Sequence, residues 1–150
     1  MQHRYRLAAL AAAVLAVSAG ALYAITSPAI AAQETPQTPT GLRIQTDPYQ
    51  PNQLCRAGTA VVSKNDTIVL AASPVPLGRH PGLRGTFEVT GGEGTTPISS
   101  TRPMWPSGRV LALTIDPGTL SAGAYRWRVR AEQGKEVSGW TPWCGFTVKD

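Results

Sequence analysis

The chain has 150 residues, 42% apolar and 15% charged, with fourteen basic against nine acidic side chains and a net charge of +5. That length favours a single domain, and the apolar share excludes a disordered tail or a charged solenoid. Fifteen glycines and thirteen prolines call for many turns and speak against a helical bundle.

Residues 1–31 read as an export signal: His3, Arg4 and Arg6 form a short basic stretch, Leu7 to Ile25 carry no charge, and Ala29 and Ala31 supply a small-residue cleavage site. Cleavage after Ala31 leaves 119 residues with twelve basic and nine acidic side chains, a surplus of +3. The charge-free run of 19 residues is also just long enough to span a bilayer, so the alternative is an uncleaved anchor. Its alanine content and the interruptions at Ser18 and Gly20 favour cleavage. Either way the remainder is expected outside the cell, and membrane contact arises only if the leader is retained. A surplus of +3 falls short of the basic stripe of a nucleic-acid binder, so no nucleic-acid partner is expected.

Residues 32–40 are rich in proline and threonine, carry no apolar pattern and read as a linker. The domain proper is expected over residues 41–150. From Leu42 onward apolar residues recur with period two, in short runs separated by turn residues, as in strands with one buried face. Leu42 and Ile44 share a face, and the stretch from Asp47 to Cys55, with two prolines, reads as an edge or loop that carries the cysteine to the core. A short strand precedes a turn at Lys64, Asn65 and Asp66. A second follows with Ile68, Leu70 and Ala72 alternating. The segment SPVPLGRHPG is a long loop holding His80, the sole histidine after the leader.

Leu83, Phe87 and Val89 then share one parity, with Arg84, Thr86 and Glu88 on the other. ISSTRPMWPSG reads as a short edge strand and a loop, in which Trp105 either caps one end of the core or stands exposed. Leu111, Leu113 and Ile115 point inward before Pro117 ends that run. The clearest strand follows, where Tyr125, Trp127, Val129 and Ala131 alternate with Arg126, Arg128 and Arg130. In the last run Cys144, Phe146 and Val148 face inward and Trp143, Thr147 and Lys149 outward. Seven or so short strands with turn signals about every ten residues indicate an all-β, antiparallel β-sandwich.

Cys55 and Cys144 are the only cysteines, and an even pair in an exported chain is most simply a disulfide. With a separation of 89 positions, the chain-entropy model gives such a bridge about 4.6 kcal/mol. A metal site lacks a paired-cysteine motif, and a catalytic thiol is disfavoured by export.

The segment IDPGTLSAGAYRWRVRAEQGKEVSGWTPW resembles the second half of a fibronectin type III domain. The chain is more specifically similar to the fibronectin type III or immunoglobulin-like modules of secreted bacterial proteins, which often sit beside laminin-G-like jelly-roll domains. The features that carry the resemblance are Pro36, Pro39 and Leu42, the early Cys55, Phe87 with Glu88, the strand from Tyr125 to Ala131, and the closing segment from Ser138 to Val148. The resemblance implies a fibronectin type III or Ig-like sandwich acting as a non-catalytic binding or spacer module at the cell surface or in the medium. Those modules carry an acidic turn where this chain has SPVPLGRHPG, which removes any cation site attributed to it.

The outward row Arg126, Arg128 and Arg130, with Trp140 and Trp143 three residues apart, admits two readings. One is a self-satisfied cation–π ladder that stiffens the sheet. The other is a binding surface for cell-wall polysaccharide or another anionic polymer, because indole faces stack on sugar rings and guanidinium forks match carboxylate or phosphate. An alternative function is a small secreted effector or inhibitor presenting the proline-rich loop to a protein partner. Tyr125 is expected to place its ring in the core and its hydroxyl on backbone near Leu120, and Trp127 to fill the core beside the disulfide. No serine–histidine–acid arrangement surrounds His80. The acids Glu88, Glu93 and Asp116 sit where they suit strand and turn roles rather than paired catalysis. No enzyme activity, cofactor or metal is therefore expected.

Overall fold

The computed structural model describes residues 35–47, 53–55, 60–75, 81–91, 97–107 and 109–150, all within a compact unit covering residues 33–150. Residues 1–31, where an export leader is expected, lie outside the described residues, as do His80 and Glu93. Ten strands are present among the described residues, and no helix. They are β1 (Thr40–Asp47), β2 (Gln53–Leu54), β3 (Ala60–Ser63), β4 (Thr67–Ser73), β5 (Leu83–Gly91), β6 (Ile98–Pro103), β7 (Leu111–Ile115), β8 (Gly123–Gln133), β9 (Glu136–Val137) and β10 (Cys144–Lys149). They form two sheets, one ordered β2-β1-β4-β7 and the other β3-β10-β8-β5-β6, with β9 paired to β8.

Period-two patterning places the core between these sheets. Ile68, Leu70, Leu111, Leu113 and Ile115 come from the first sheet, and Leu83, Phe87, Val89, Trp127, Val129, Phe146 and Val148 from the second. A strand alternates its side chains between faces, so one register fixes the whole inward set. Trp127 stacks on Phe87 with centroids 6.1 Å apart, and Tyr125 lies 5.6 Å from Phe146. The Tyr125 hydroxyl donates to the Ser121 carbonyl at 3.0 Å, one residue beyond the expected Leu120. It thereby ties the approach to β8 onto the strand itself.

The expectation of a wholly antiparallel sandwich is corrected at one pair: β3 runs parallel to β10, with Phe146 opposite Ala60 and Val148 opposite Val62. β2 lies at the edge of one sheet and β3 at the edge of the other, where β3 runs alongside β10 in the same direction. The turn at Lys64 to Asp66 accordingly links two sheets rather than a paired hairpin. Asp66 N–H donates to Ser63 O, and Lys64 N–H donates to Lys149 O at 2.8 Å.

Cys55 and Cys144 are joined in a disulfide. Cys55 follows β2 and donates its N–H to Leu42 O of β1 at 2.9 Å. Cys144 begins β10, opposite Trp127. The bridge therefore fastens the edge of one sheet to the interior of the other. In the stretch read as a linker, residues 35–39 form no strand, yet Pro36 and Pro39 are buried. Thr38 Oγ1 donates to Gly139 O at 3.3 Å, which ties the stretch just ahead of β1 to the closing segment.

Candidate functional site: the arginine–tryptophan ladder on the second sheet

Between β9 and β10 the chain runs along β8 without forming a regular strand. Ser138 N–H donates to Ala131 O at 2.9 Å and Thr141 N–H to Val129 O at 3.0 Å. In return the Ser138 hydroxyl accepts from Ala131 N–H at 2.9 Å, and the Thr141 hydroxyl accepts from Val129 N–H at 3.1 Å. Side-chain oxygens thus replace the carbonyls of a normal ladder, which leaves the segment free to bulge. The next anchor is Cys144, paired with Trp127. Each three residues of the segment therefore advance two residues of β8, from 138 to 141 to 144 against 131 to 129 to 127.

That ratio sets the site. Trp140 and Trp143 each stand one residue before an anchor, so they recur with the two-residue spacing of the outward arginines of β8. Arg126 lies 4.7 Å from the Trp143 centroid and Arg128 4.5 Å from it. Arg128 also lies 4.4 Å from the Trp140 centroid, and Arg130 4.7 Å from it. The order along the face is Arg126, Trp143, Arg128, Trp140, Arg130, with Arg128 shared. All five residues picked out from the sequence are brought together here. Each such contact is worth about 0.5–1 kcal/mol at an exposed site.

Acids on neighbouring positions hold two of the guanidinium groups. Glu88 of β5 stands opposite Arg128 and accepts from its Nη2 at 2.7 Å and its Nε at 2.8 Å. Glu132 accepts from Arg130 Nε and Nη2, each at 3.0 Å. Thr86 donates to the same Glu132 oxygen at 2.6 Å, and its hydroxyl lies 2.8 Å from that of Thr101 on β6. These contacts, the Thr86 hydrogen bond foremost and the Arg130 and Arg84 charges after it, hold the Glu132 carboxyl below its ordinary value against the opposing effect of partial burial. Arg126 has no acidic partner among the described residues.

The clamping acids were the less legible part. Glu88 shares outward parity with Thr86, but only the pairing of β5 with β8 puts it opposite Arg128. Glu132 did have a local signal, since it follows Arg130 by two residues on one face of a strand. Asp116 is exposed beyond the end of β7. Among the described residues no three histidine, cysteine or acidic side chains gather as a metal site.

A second aromatic stands apart from the ladder: Trp105, 54% exposed on the connection from β6 to β7. Residues 76–80, half of the segment SPVPLGRHPG, lie outside the described residues. Within the same segment Pro74 is buried, and Pro81 O accepts from Gln133 Nε2 at 3.1 Å. No protein-family model matches the chain, and no curated protein matches it.

Proposed function

We propose that the protein is exported through residues 1–31 and acts as a non-catalytic extracellular module of fibronectin type III or Ig-like type, binding a polymer or spacing other components at the cell surface. The observation that carries this reading is the ladder itself. Five side chains and two acids are spent on making one exposed sheet face rigid, an investment suited to a domain that holds its shape outside the cell. The disulfide between the two sheets supports the same compartment. The sheet arrangement, with β1, β4 and β7 facing β10, β8, β5 and β6, supports the resemblance drawn from the closing segment.

Within this reading the ladder chiefly stiffens. Each indole already has two guanidinium groups within 5 Å of its centroid, which limits the ring surface left for a sugar. The deciding experiment compares retention of the exported protein on isolated cell walls with capture of proteins from culture supernatant. Wall retention supports the module. One stoichiometric soluble partner instead supports an effector that presents its proline-rich loop, and neither result sinks both. Replacing Trp140 and Trp143 with alanine separates the two roles of the ladder: lowered melting temperature with wall retention intact supports stiffening, and lost retention with unchanged melting supports direct contact.

A further inference from the structure

At one end of each sheet lies an edge strand, β6 in one and β7 in the other, and the chain crosses between them through residues 104–110. Beside this crossing is an open surface groove of about 590 Å³ lined by Arg102, Pro103, Met104, Trp105 and Pro106 on one side and Ala112 and Thr114 of β7 on the other. That volume falls within the range of small-ligand sites. The crossing is fastened at Trp105 and at the residue before it: Met104 N–H donates to Leu83 O and Trp105 N–H to Val110 O, each at 3.0 Å. Met104 packs against the core. Prolines nearby on both sides restrict the backbone further, so the exposed indole is held in place at low ordering cost.

Arg102 is the charged member. It stands opposite Gly85, on the inward parity of an edge strand, and no carboxylate among the described residues pairs with it. An inward-pointing charge on an edge strand guards against edge-to-edge pairing. That accounts for the arginine but not for a large indole left open beside it. Unlike Trp140 and Trp143, Trp105 has no guanidinium stacked on its ring among the described contacts. An open ring, an unpaired guanidinium fork and the Thr114 hydroxyl together match a cyclic polyol with an acid on it: the ring's C–H face covers the indole, the acid meets the fork, and a hydroxyl meets the threonine.

We propose that this groove binds a pyranose bearing an anionic group, with the sugar stacked on Trp105 and its acid held by Arg102. The proposal rests on the reading of the protein as an extracellular polymer-binding module and gives that module its contact site. Carboxylate and phosphate share the recognising chemistry, so the test uses three probes: oligogalacturonic acid, a phosphomannan oligosaccharide and a neutral mannan oligosaccharide. Each is titrated into the exported protein, with affinity and the Trp105 indole N–H resonance followed together. At least one acidic probe should bind about tenfold or more tightly than the neutral one, shifting the Trp105 resonance. Trp105→Ala should weaken it by about tenfold or more, and Arg102→Gln should erase the preference for acid while sparing the neutral probe. Which acidic probe binds distinguishes carboxylate from phosphate. Equal affinity for acidic and neutral probes, an unmoved Trp105 resonance, or full binding by Trp105→Ala overturns the site. Wall retention that persists in Trp105→Ala overturns the site and leaves the module reading standing, whereas absent wall retention by an unaltered protein that still binds an acidic probe through Trp105 overturns the module reading and leaves the site.

Discussion

Arg128 bonds Glu88 through both Nε and Nη2, at 2.8 and 2.7 Å, onto a single carboxylate oxygen. The clamp matters because the same guanidinium is the one group that both tryptophans share. A free arginine side chain would lose considerable rotamer entropy on entering the ladder. Glu88, fixed on the next strand, restrains the guanidinium in the plane that serves both rings.

Arg128→Ala should therefore be the most costly single truncation in the ladder. It removes two cation–π contacts and strands Glu88, for a loss of about 1–3 kcal/mol. Arg126→Ala removes one contact and no ion pair, and should cost about 0.5–1 kcal/mol. Urea denaturation of the two variants at low and moderate salt checks the order. Equal losses would show that the shared position has no special weight.

The disulfide should contribute about 2–5 kcal/mol. Replacing both Cys55 and Cys144 with alanine avoids leaving a lone thiol. The variant should unfold at a clearly lower urea concentration while keeping its strand signature in circular dichroism. Mass spectrometry of the purified protein under non-reducing conditions tests the bond directly, and two free thiols would refute it.

Gly85 occupies a place where β5 approaches the opposite sheet. A Cβ there would come within 2.9 Å of Phe87 Cε2 and 3.2 Å of Leu111 Cβ. Phe87 and Leu111 are both fully buried, so neither gives way cheaply. Gly85→Ala should destabilise the domain by about 1–3 kcal/mol through overpacking, read as a lowered melting temperature. A neutral outcome would mean that the sheets separate more easily than their packing indicates.

Much of this architecture is written in parity. The alternation from Tyr125 to Ala131 fixes which side of β8 is buried, and the same rule places Cys144, Phe146 and Val148 inside and Trp143 outside. What parity cannot carry is which strands are neighbours. The parallel pairing of β3 with β10 follows from a crossing between sheets that no local pattern announces, and the meeting of Glu88 with Arg128 follows from the pairing of β5 with β8. The short strand β9 escaped for a different reason: two exposed residues, Glu136 and Val137, give no alternation to read. It is recognisable only through the turn before it, where Gly134 takes a φ of 61°, which glycine adopts without strain. Ser138 and Thr141 lay in plain view in the sequence, but their hydroxyls act as ladder acceptors only because β8 presents free N–H groups beside them.

Glu132 gives the ladder a defined pH response. Its carboxyl is held below the ordinary value of about 4.5, chiefly by the hydrogen bond from Thr86 and then by Arg130. A group whose pKa is lower in the folded than in the unfolded state stabilises the fold fully above the unfolded value, and loses that contribution as pH falls through the folded one. Stability should thus hold near neutrality and decline once the pH drops below about 4.5. Glu132→Gln keeps the side-chain shape and an oxygen that can accept from Thr86 but has no carboxyl to protonate, so its stability should fall less steeply over the same acid range. Thr86→Val removes the foremost cause of the shift, so the carboxylate's contribution should shrink and its decline should end at a higher pH. Urea denaturation of the three proteins between pH 7 and about pH 3 supplies the comparison. Identical acid slopes for the unaltered protein and Glu132→Gln would show that Glu132 does not couple protonation to folding.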